Sequence, residues 1–506
     1  MIKPTPPIEL MGAGSRFGEP EPLTPAALGA LREICAVRTD LHEVAEASRD
    51  WWPLAMHWAL AGEVARRAAV VVTPHTTDEV AAVMRVCHRA GIAVTAAGGR
   101  SNVVGATVPL RGGVVLDLTG LSGVVDVDET SGVVAVRAGT FGPDLEDHLR
   151  DRHGLTVGHR PQSFDISTVG GWLATRGAGQ YSTRYGKIEH LVHGLEVVLA
   201  DGTIVRTGGH PAAADGPDLT QMFVGSEGTL GIITTAWLRA RPVPQYERRH
   251  AYRLVGSNAF DAGLDTCRRI LRRGATPAVL RLYDETETAR LESSDDPSCL
   301  LLVLDEGDPL LVDATLTIVE EECASAVDLG PAPVDRWVEH RNDTSALQAL
   351  TRRGFVVDTL EVSGSWSTLG RITTATTAAL RSVAHCRVAS CHLSHSYLDG
   401  ACLYFTFVAM PPQDEIESTY IALWDAGQRA ALGAGAAVSH HHGLGLSRAR
   451  FAAEHHGAAH AVHGAIKVAL DPTGMLNPGK MGLPNLSAPP SSAERPSGEE
   501  TTWPPM

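Results

Sequence analysis

Residues 70–73 are an apolar β-branched run (Val70, Val71, Val72, Thr73) closed by Pro74, the pattern of a buried strand. Thr76 and Glu79 follow at capping-box spacing, so a helix is expected to begin there. Val80, Val83, Met84 and Cys87 fall on one helical face, Gly91 ends it, and residues 92–95 resume as a strand that runs into Gly98 and Gly99. The pattern so far is strand, helix, strand, glycine loop. Residues 114–118 predict a further strand, and 124–127 with 133–136 predict a core-packed hairpin across the turn residues Asp128 to Gly132. Up to about Pro244 the chain keeps short strands and many glycines. Beyond it the amphipathic stretch 262–273 reads as a helix and 278–283 and 300–304 read as strands, so a domain boundary is expected at Pro244.

Composition narrows the class. A length of 506 residues suits two large domains, and 44% hydrophobic with 20% charged residues excludes a chain disordered throughout. The formal net charge of −15 and the lack of a basic patch argue against a nucleic-acid partner. No stretch approaches the ~20 apolar residues of a membrane span or forms a signal-peptide core, so a cytoplasmic protein is expected. Residues 487–506 are rich in Pro, Ser and Glu and predict a disordered tail. The eight cysteines form no C-x-x-C pair and read as buried reduced thiols.

Candidate chemistry begins with three glycine clusters: Gly98, Gly99, Arg100, Ser101, Asn102; then Ser167, Thr168, Val169, Gly170, Gly171; then Gly225, Ser226, Glu227, Gly228. Glycine lets backbone amides approach a phosphate closely. None of the three fits the G-x-G-x-x-G dinucleotide fingerprint or the G-x-x-x-x-G-K-[ST] phosphate loop, which disfavours a nicotinamide dehydrogenase and an NTPase.

The order of these clusters, with the closing run from Leu470 to Lys480, resembles the FAD-binding domain of the vanillyl-alcohol oxidase / p-cresol methylhydroxylase superfamily. Within it, the stretches 158–163, 167–176, 185–189, 400–405 and 439–445 are similar to the alkyldihydroxyacetonephosphate synthases. The resemblance implies an α+β, two-domain FAD-binding PCMH-type fold with an α+β substrate-capping domain. It implies this division: 1–68 an N-terminal helical segment, 69–244 the FAD-binding domain, 245–430 the cap, 431–486 a segment returning to the flavin site, and 487–506 the tail. FAD is the implied cofactor. The residues implied to hold it are Gly98, Gly99, Arg100, Ser101 and Asn102, then Pro161, Ser163, Ser167, Thr168, Gly170, Gly171 and Thr175, then Glu227, Gly228 and Ile233.

The implied activity is exchange of an acyl for an alkoxy group through a flavin N5 adduct. Tyr404 is the implied acid/base residue, and His440, His441 and His442 form the implied histidine cluster. These types suit proton transfer. Arg281, Arg352 and Arg353 are the expected substrate-binding residues. Counting back without a gap from residues 357–361 puts Leu347 where the family carries its phosphate-gripping arginine, with Arg341 also nearby. A substrate lacking that phosphate is therefore expected, since leucine makes no charge-assisted bond. The alternative activity is oxidation of an alcohol or 2-hydroxy acid by an FAD-linked oxidase or dehydrogenase. The expected partner is a small-molecule or lipid-like substrate, and a homodimer is compatible with the resemblance.

No metal site is expected, because three consecutive histidines on a regular element cannot all face one ion. His456, His460 and His463 have helical spacing but no H-E-x-x-H frame, and read as a surface face. The purified protein should be yellow and release FAD on heat denaturation. Gly170→Glu or Ser226→Arg should abolish FAD retention by placing bulk and charge where backbone meets ligand; a colourless wild type that takes up no added FAD would overturn this reading.

Overall fold

The structure is a computed structural model that describes residues 8–292 and 298–484; the tail expected at 487–506 lies outside the described residues. The first β-branched run folds as the strand Val70–Thr73. It pairs in parallel with Val114–Asp117, which pairs in parallel with Val94–Ala97, while Ala36–Arg38 adds an antiparallel edge. Parallel pairing needs a crossover, here the helix Thr77–Ala90, which buries Val80, Val83, Met84 and Cys87. Thr76 caps it, its Oγ accepting from the Glu79 amide at 3.1 Å, and Gly91 closes it at φ 65°. The Glu79 carboxylate accepts from the His75 amide at 2.7 Å, one residue before the cap.

A second sheet of five antiparallel strands follows in the order Ile204–Gly208, Val192–Val198, Ile232–Arg239, Val133–Arg137, Val124–Asp128. The expected hairpin forms, but Val124–Asp128 is the sheet edge and keeps no fully buried residue.

From Tyr246 the chain builds a seven-stranded antiparallel sheet, ordered Val327–Gly330, Tyr246–Val255, Ser298–Gly307, Val279–Tyr283, Cys386–Ser396, Gly400–Ala409, Val356–Ser365. The helices Ala259–Arg272, Pro309–Glu322, Leu369–Ser382 and Ile416–Gly433 cover one face, where Leu264, Leu316, Leu380 and Trp424 share a core with Leu282, Leu403, Phe405 and Phe407. Strand side chains alternate between faces. Tyr404 and Thr406 therefore point the other way, towards the glycine clusters.

Two segments tie the lobes together. Residues before 69 are more than a helical appendage: they supply the edge strand Ala36–Arg38 and the fully buried Trp52. The Trp52 indole donates to the Tyr420 hydroxyl at 2.9 Å, which donates to Asp358 at 2.7 Å. The boundary expected at 430 falls inside the helix Ile416–Gly433, because that helix packs along Leu369–Ser382 to its end. After it the chain returns to the FAD-side sheet, where the Val94 and Asn477 amides bond the carbonyls of Met475 and Val94, each at 2.8 Å. Among the described residues no helix is long and apolar enough to cross a membrane.

Candidate active site

A cavity of about 890 Å³ lies between the glycine clusters and the helix-free face of the seven-stranded sheet. The residues expected to hold the cofactor, from Gly98 through Ile233, all line it. Gly99 has no room for a side chain, since a Cβ there would sit 1.9 Å from the Ile166 carbonyl oxygen. That contact presses the first cluster against the second. Among the described residues, none of the Gly99, Arg100 and Ser101 amides donates to a protein acceptor. Arg100 itself is buried at φ 54°, with its Nε and Nη1 unpartnered. Unpaired buried donors are costly unless something accepts from them. Beside them Ala96, Leu118, Ile232 and Ile233 give an apolar wall. Anion-seeking amides next to an apolar slot fit the pyrophosphate and ring system of FAD.

The histidine run occupies the loop after Val438, and buried carboxylates fix it. Glu361 accepts from the His440 and His442 amides at 2.6 and 2.7 Å and from Ser439 Oγ at 2.9 Å. Burial would raise the Glu361 carboxyl, but Arg448 at 2.9 Å and those amides hold it at about 2. From the opposite side Glu227 accepts from the Leu444 and Gly445 amides at 2.6 and 2.8 Å. Glu227 thus acts as a strut for the loop as well as a cavity-lining residue.

Tyr404, His441 and His442 line the cavity, and the Tyr404 and His441 ring centroids are 6.1 Å apart. His440 stands behind this wall, joined to His441 through their Nδ1 atoms at 2.9 Å and to the Tyr397 hydroxyl through Nε2 at 2.9 Å. Burial pushes the Tyr404 phenol up, and its hydroxyl donates to Thr359 Oγ at 3.0 Å. Burial also drives His440 and His441 well below the ordinary imidazole value, so both are neutral.

Behind Tyr404 lies a set of residues that no sequence pattern indicated. The His392 ring stacks on Tyr404 at 4.8 Å. His392 Nε2 meets Arg281 Nη2 at 2.7 Å, and arginine can only donate, so Nδ1 carries the proton and donates to Glu287 at 3.0 Å. This tautomer makes His392 neutral and Glu287 ionised. Glu361, Arg448, Glu287 and His392 are separated in sequence by up to 161 residues, and only the fold brings them together.

The expected substrate arginines divide. Arg281 lines the cavity, whereas Arg352 pairs with Glu9 at 3.2 Å and Arg353 is exposed, both outside it. The helix Ser345–Arg352 explains the correction: Leu347 faces the cavity, and a residue five positions on is rotated by about 140°. Arg341 lines the cavity instead, its Nη1 donating to Gln180 at 2.7 Å and its guanidinium lying near the Tyr181 and Trp337 rings, 5.3 and 5.7 Å from their centroids.

Residues 68–208 match the model of the FAD binding domain, and residues 247–481 match that of the C-terminal domain of FAD linked oxidases. An uncharacterized FAD-linked oxidoreductase, YgcU, of Escherichia coli (strain K12) is 30% identical over 430 residues, covering 81% of this chain and 88% of that one. The chain belongs to the FAD-linked oxidase family. Similarity extends to the alkyldihydroxyacetonephosphate synthase of Dictyostelium discoideum, 29% identical over 460 residues and covering 83% of this chain and 74% of that one. A solved alkyldihydroxyacetonephosphate synthase superposes with a TM-score of 0.76 at 25% identity, covering 93% of this chain and 88% of that one. The protein is therefore a flavoenzyme with FAD as its cofactor.

The neutral histidines set an acid limit on stability. Burial brings His392, His395 and His442 down to about 4, about 3 and about 4 from an ordinary 6.5. As the pH falls below 6.5 the unfolded chain takes up protons that the folded one refuses until near 4. Stability is thus full above about 6.5 and declines as the pH drops towards 4. Glu361, depressed from 4.5 to about 2, adds a further loss below 4.5. The thermal midpoint, read by flavin fluorescence, should fall between about pH 7.5 and about pH 5, with a shallower slope in His395→Gln. A midpoint that is flat or rises on acidification would contradict this.

Proposed function

We propose that this enzyme exchanges the acyl group of an acylated dihydroxyacetone with an anionic head for a fatty alkoxy group, the alkyldihydroxyacetonephosphate synthase type of reaction. The observation that supports it is the pairing of two neutral proton carriers, Tyr404 and His441, on one cavity wall. A reaction that removes a proton from carbon and later returns one needs both a donor and an acceptor; simple hydride removal needs one base. FAD, when bound, supplies an electrophile that can accept carbon or hydride from the substrate.

The remaining work falls to the chain. His441 Nδ1 is engaged by His440, which leaves Nε2 as the nitrogen open to take the substrate proton. In that tautomer His441 Nδ1–H donates to His440 Nδ1 and His440 Nε2–H donates to Tyr397 Oη, so the positive charge that forms is shared between the two rings and stabilised by the phenol oxygen. Tyr404 keeps its hydroxyl proton at neutral pH and can deliver it to the departing carboxylate or the returning carbon. Arg341 presents a guanidinium group for an anionic head, which favours a phosphorylated substrate over the one expected from Leu347 alone.

Anaerobic mixing with candidate substrates, watched through flavin absorbance, tests this reading. Turnover of acyl-dihydroxyacetone phosphate with a fatty alcohol and no net flavin reduction would support it. Full bleaching on 2-hydroxy acids, with no transfer product, would assign the oxidoreductase reaction. Tyr404→Phe and His441→Ala should retain FAD and lose ~10²–10⁴ of the turnover; near-normal turnover in both would remove them from the mechanism. Arg341→Met should weaken the phosphorylated substrate by ~1.5–3 kcal/mol and leave its dephosphorylated analogue unchanged, as judged from kcat/KM. Equal losses on both would take Arg341 out of head-group recognition.

A further inference from the structure

We propose that Cys402, His440 and His441 form a binding site for a thiophilic divalent ion of the zinc type, and that occupancy of this site arrests the enzyme. One ligand atom from each residue lies within 4.8 Å of the others. Cys402 comes from the strand Gly400–Ala409, on the same face as Tyr404, while the two histidines come from the loop beyond Val438. That loop is irregular, so two of the three consecutive histidines converge although a helix or strand would separate them.

The two imidazoles stand close to the spacing the ion needs, and the widest of the three ligand spacings, up to 4.8 Å, has to close by about an ångström. Tetrahedral zinc, with Zn–N of ~2.0–2.1 Å and Zn–S of ~2.3 Å, spaces its ligand atoms ~3.3–3.6 Å apart. The two Nδ1 atoms stand 2.9 Å apart and need open by only a few tenths of an ångström. With both Nδ1 atoms on the ion, His440 Nε2 carries the proton and donates to Tyr397 Oη, already 2.9 Å away. Glu361 fixes the backbone of the same residue through the His440 amide. His441 lines the cavity and gives the ion its way in, and His395, whose ring is 5.0 Å from that of His441, is the next donor at hand. One thiolate with two imidazoles selects zinc-like ions over magnesium or calcium.

Binding converts the buried Cys402 thiol to a thiolate and releases one proton to solvent, with no change of oxidation state. It also occupies His441 Nδ1 and so breaks the His441–His440 connection. The arrest rests on the role proposed above for His441; the binding does not, and the two are measured separately.

The test is equilibrium dialysis of the FAD-loaded enzyme against Zn²⁺, with Co²⁺ as a probe whose d–d bands lie beyond the flavin absorption. We expect one ion per chain, about one proton released per ion at neutral pH, and thiolate-type Co²⁺ bands. Tyr397→Phe should weaken binding ~10–100-fold, and Cys402→Ser should weaken it more and remove the bands. If Cys402→Ser does not fold, His440→Gln is read in the same way. Absence of stoichiometric binding to the wild type would overturn the proposal. So would binding that survives in Cys402→Ser but is lost in His460→Ala, which would place the ion on the surface histidines. Stoichiometric binding without loss of turnover would retain the site and reject the arrest.

Discussion

A buried irregular loop can hold its shape only if its backbone donors are satisfied, and in this protein two carboxylates meet that requirement. Glu361 reaches from the seven-stranded sheet to the His440 and His442 amides, and Glu227 reaches from the third glycine cluster to those of Leu444 and Gly445. Each amide stripped of its acceptor would cost ~1–3 kcal/mol in this dry setting. One carboxylate belongs to each lobe, so the histidine loop is located by both at once. Arg448 makes the arrangement affordable in charge by pairing with Glu361, with both side chains fully buried.

The same strand performs a second task on its other face. Asp358 and Glu361 are three residues apart on Val356–Ser365, an odd number, so they point to opposite sides of the sheet. Asp358 accepts from Tyr420 and Trp424 on the helix side, and Tyr420 in turn receives the Trp52 indole from the N-terminal segment. Thr359 and Glu361 point to the cavity side of the sheet, where Thr359 accepts from Tyr404 and Glu361 accepts from the His440 and His442 amides. A shift of this strand would therefore be felt at the lobe junction and at the wall of Tyr404 and the histidines together.

What could be read from the sequence follows from how local each signal is. The strand, helix, strand, glycine-loop unit needs only neighbouring residues, and its helix start at Thr76 and stop at Gly91 stand where the pattern put them. Tyr404 was legible only because a family motif surrounds it; the apolar run from Leu403 to Val408 by itself reads as an ordinary core strand. The substrate arginines were not. Their assignment depends on the rotational phase of Ser345–Arg352, which is set by packing against the helix Pro53–Leu60 and the strand Val356–Ser365 rather than by the helix's own sequence. Glu361 and Arg448 were illegible for a different reason: an ion pair across 87 residues leaves no periodic trace, and either residue alone looks like ordinary surface charge.

The two ends of the cavity differ in charge, and on the proposed reading this difference orients the substrate. The reactive wall is close to electroneutral, because its histidines and phenol are uncharged and Glu287 and Arg281 offset each other across His392. The far wall is cationic: Arg341 is half-buried and bonded to a neutral amide rather than a carboxylate. Burial lowers the Arg341 pKa from its ordinary value, with Glu306 and Asp165 offsetting it only in part. On the proposed reading an incoming anion would gain most at this end, where the low dielectric strengthens the attraction. Trp337 lies under both Arg341 and Arg281 and so sets the distance between the head-group wall and the residues behind Tyr404. On the proposed reading, a substrate held by its charge at Arg341 would have its uncharged end facing Tyr404 and His441, where proton transfer is favoured by the absence of a competing ion.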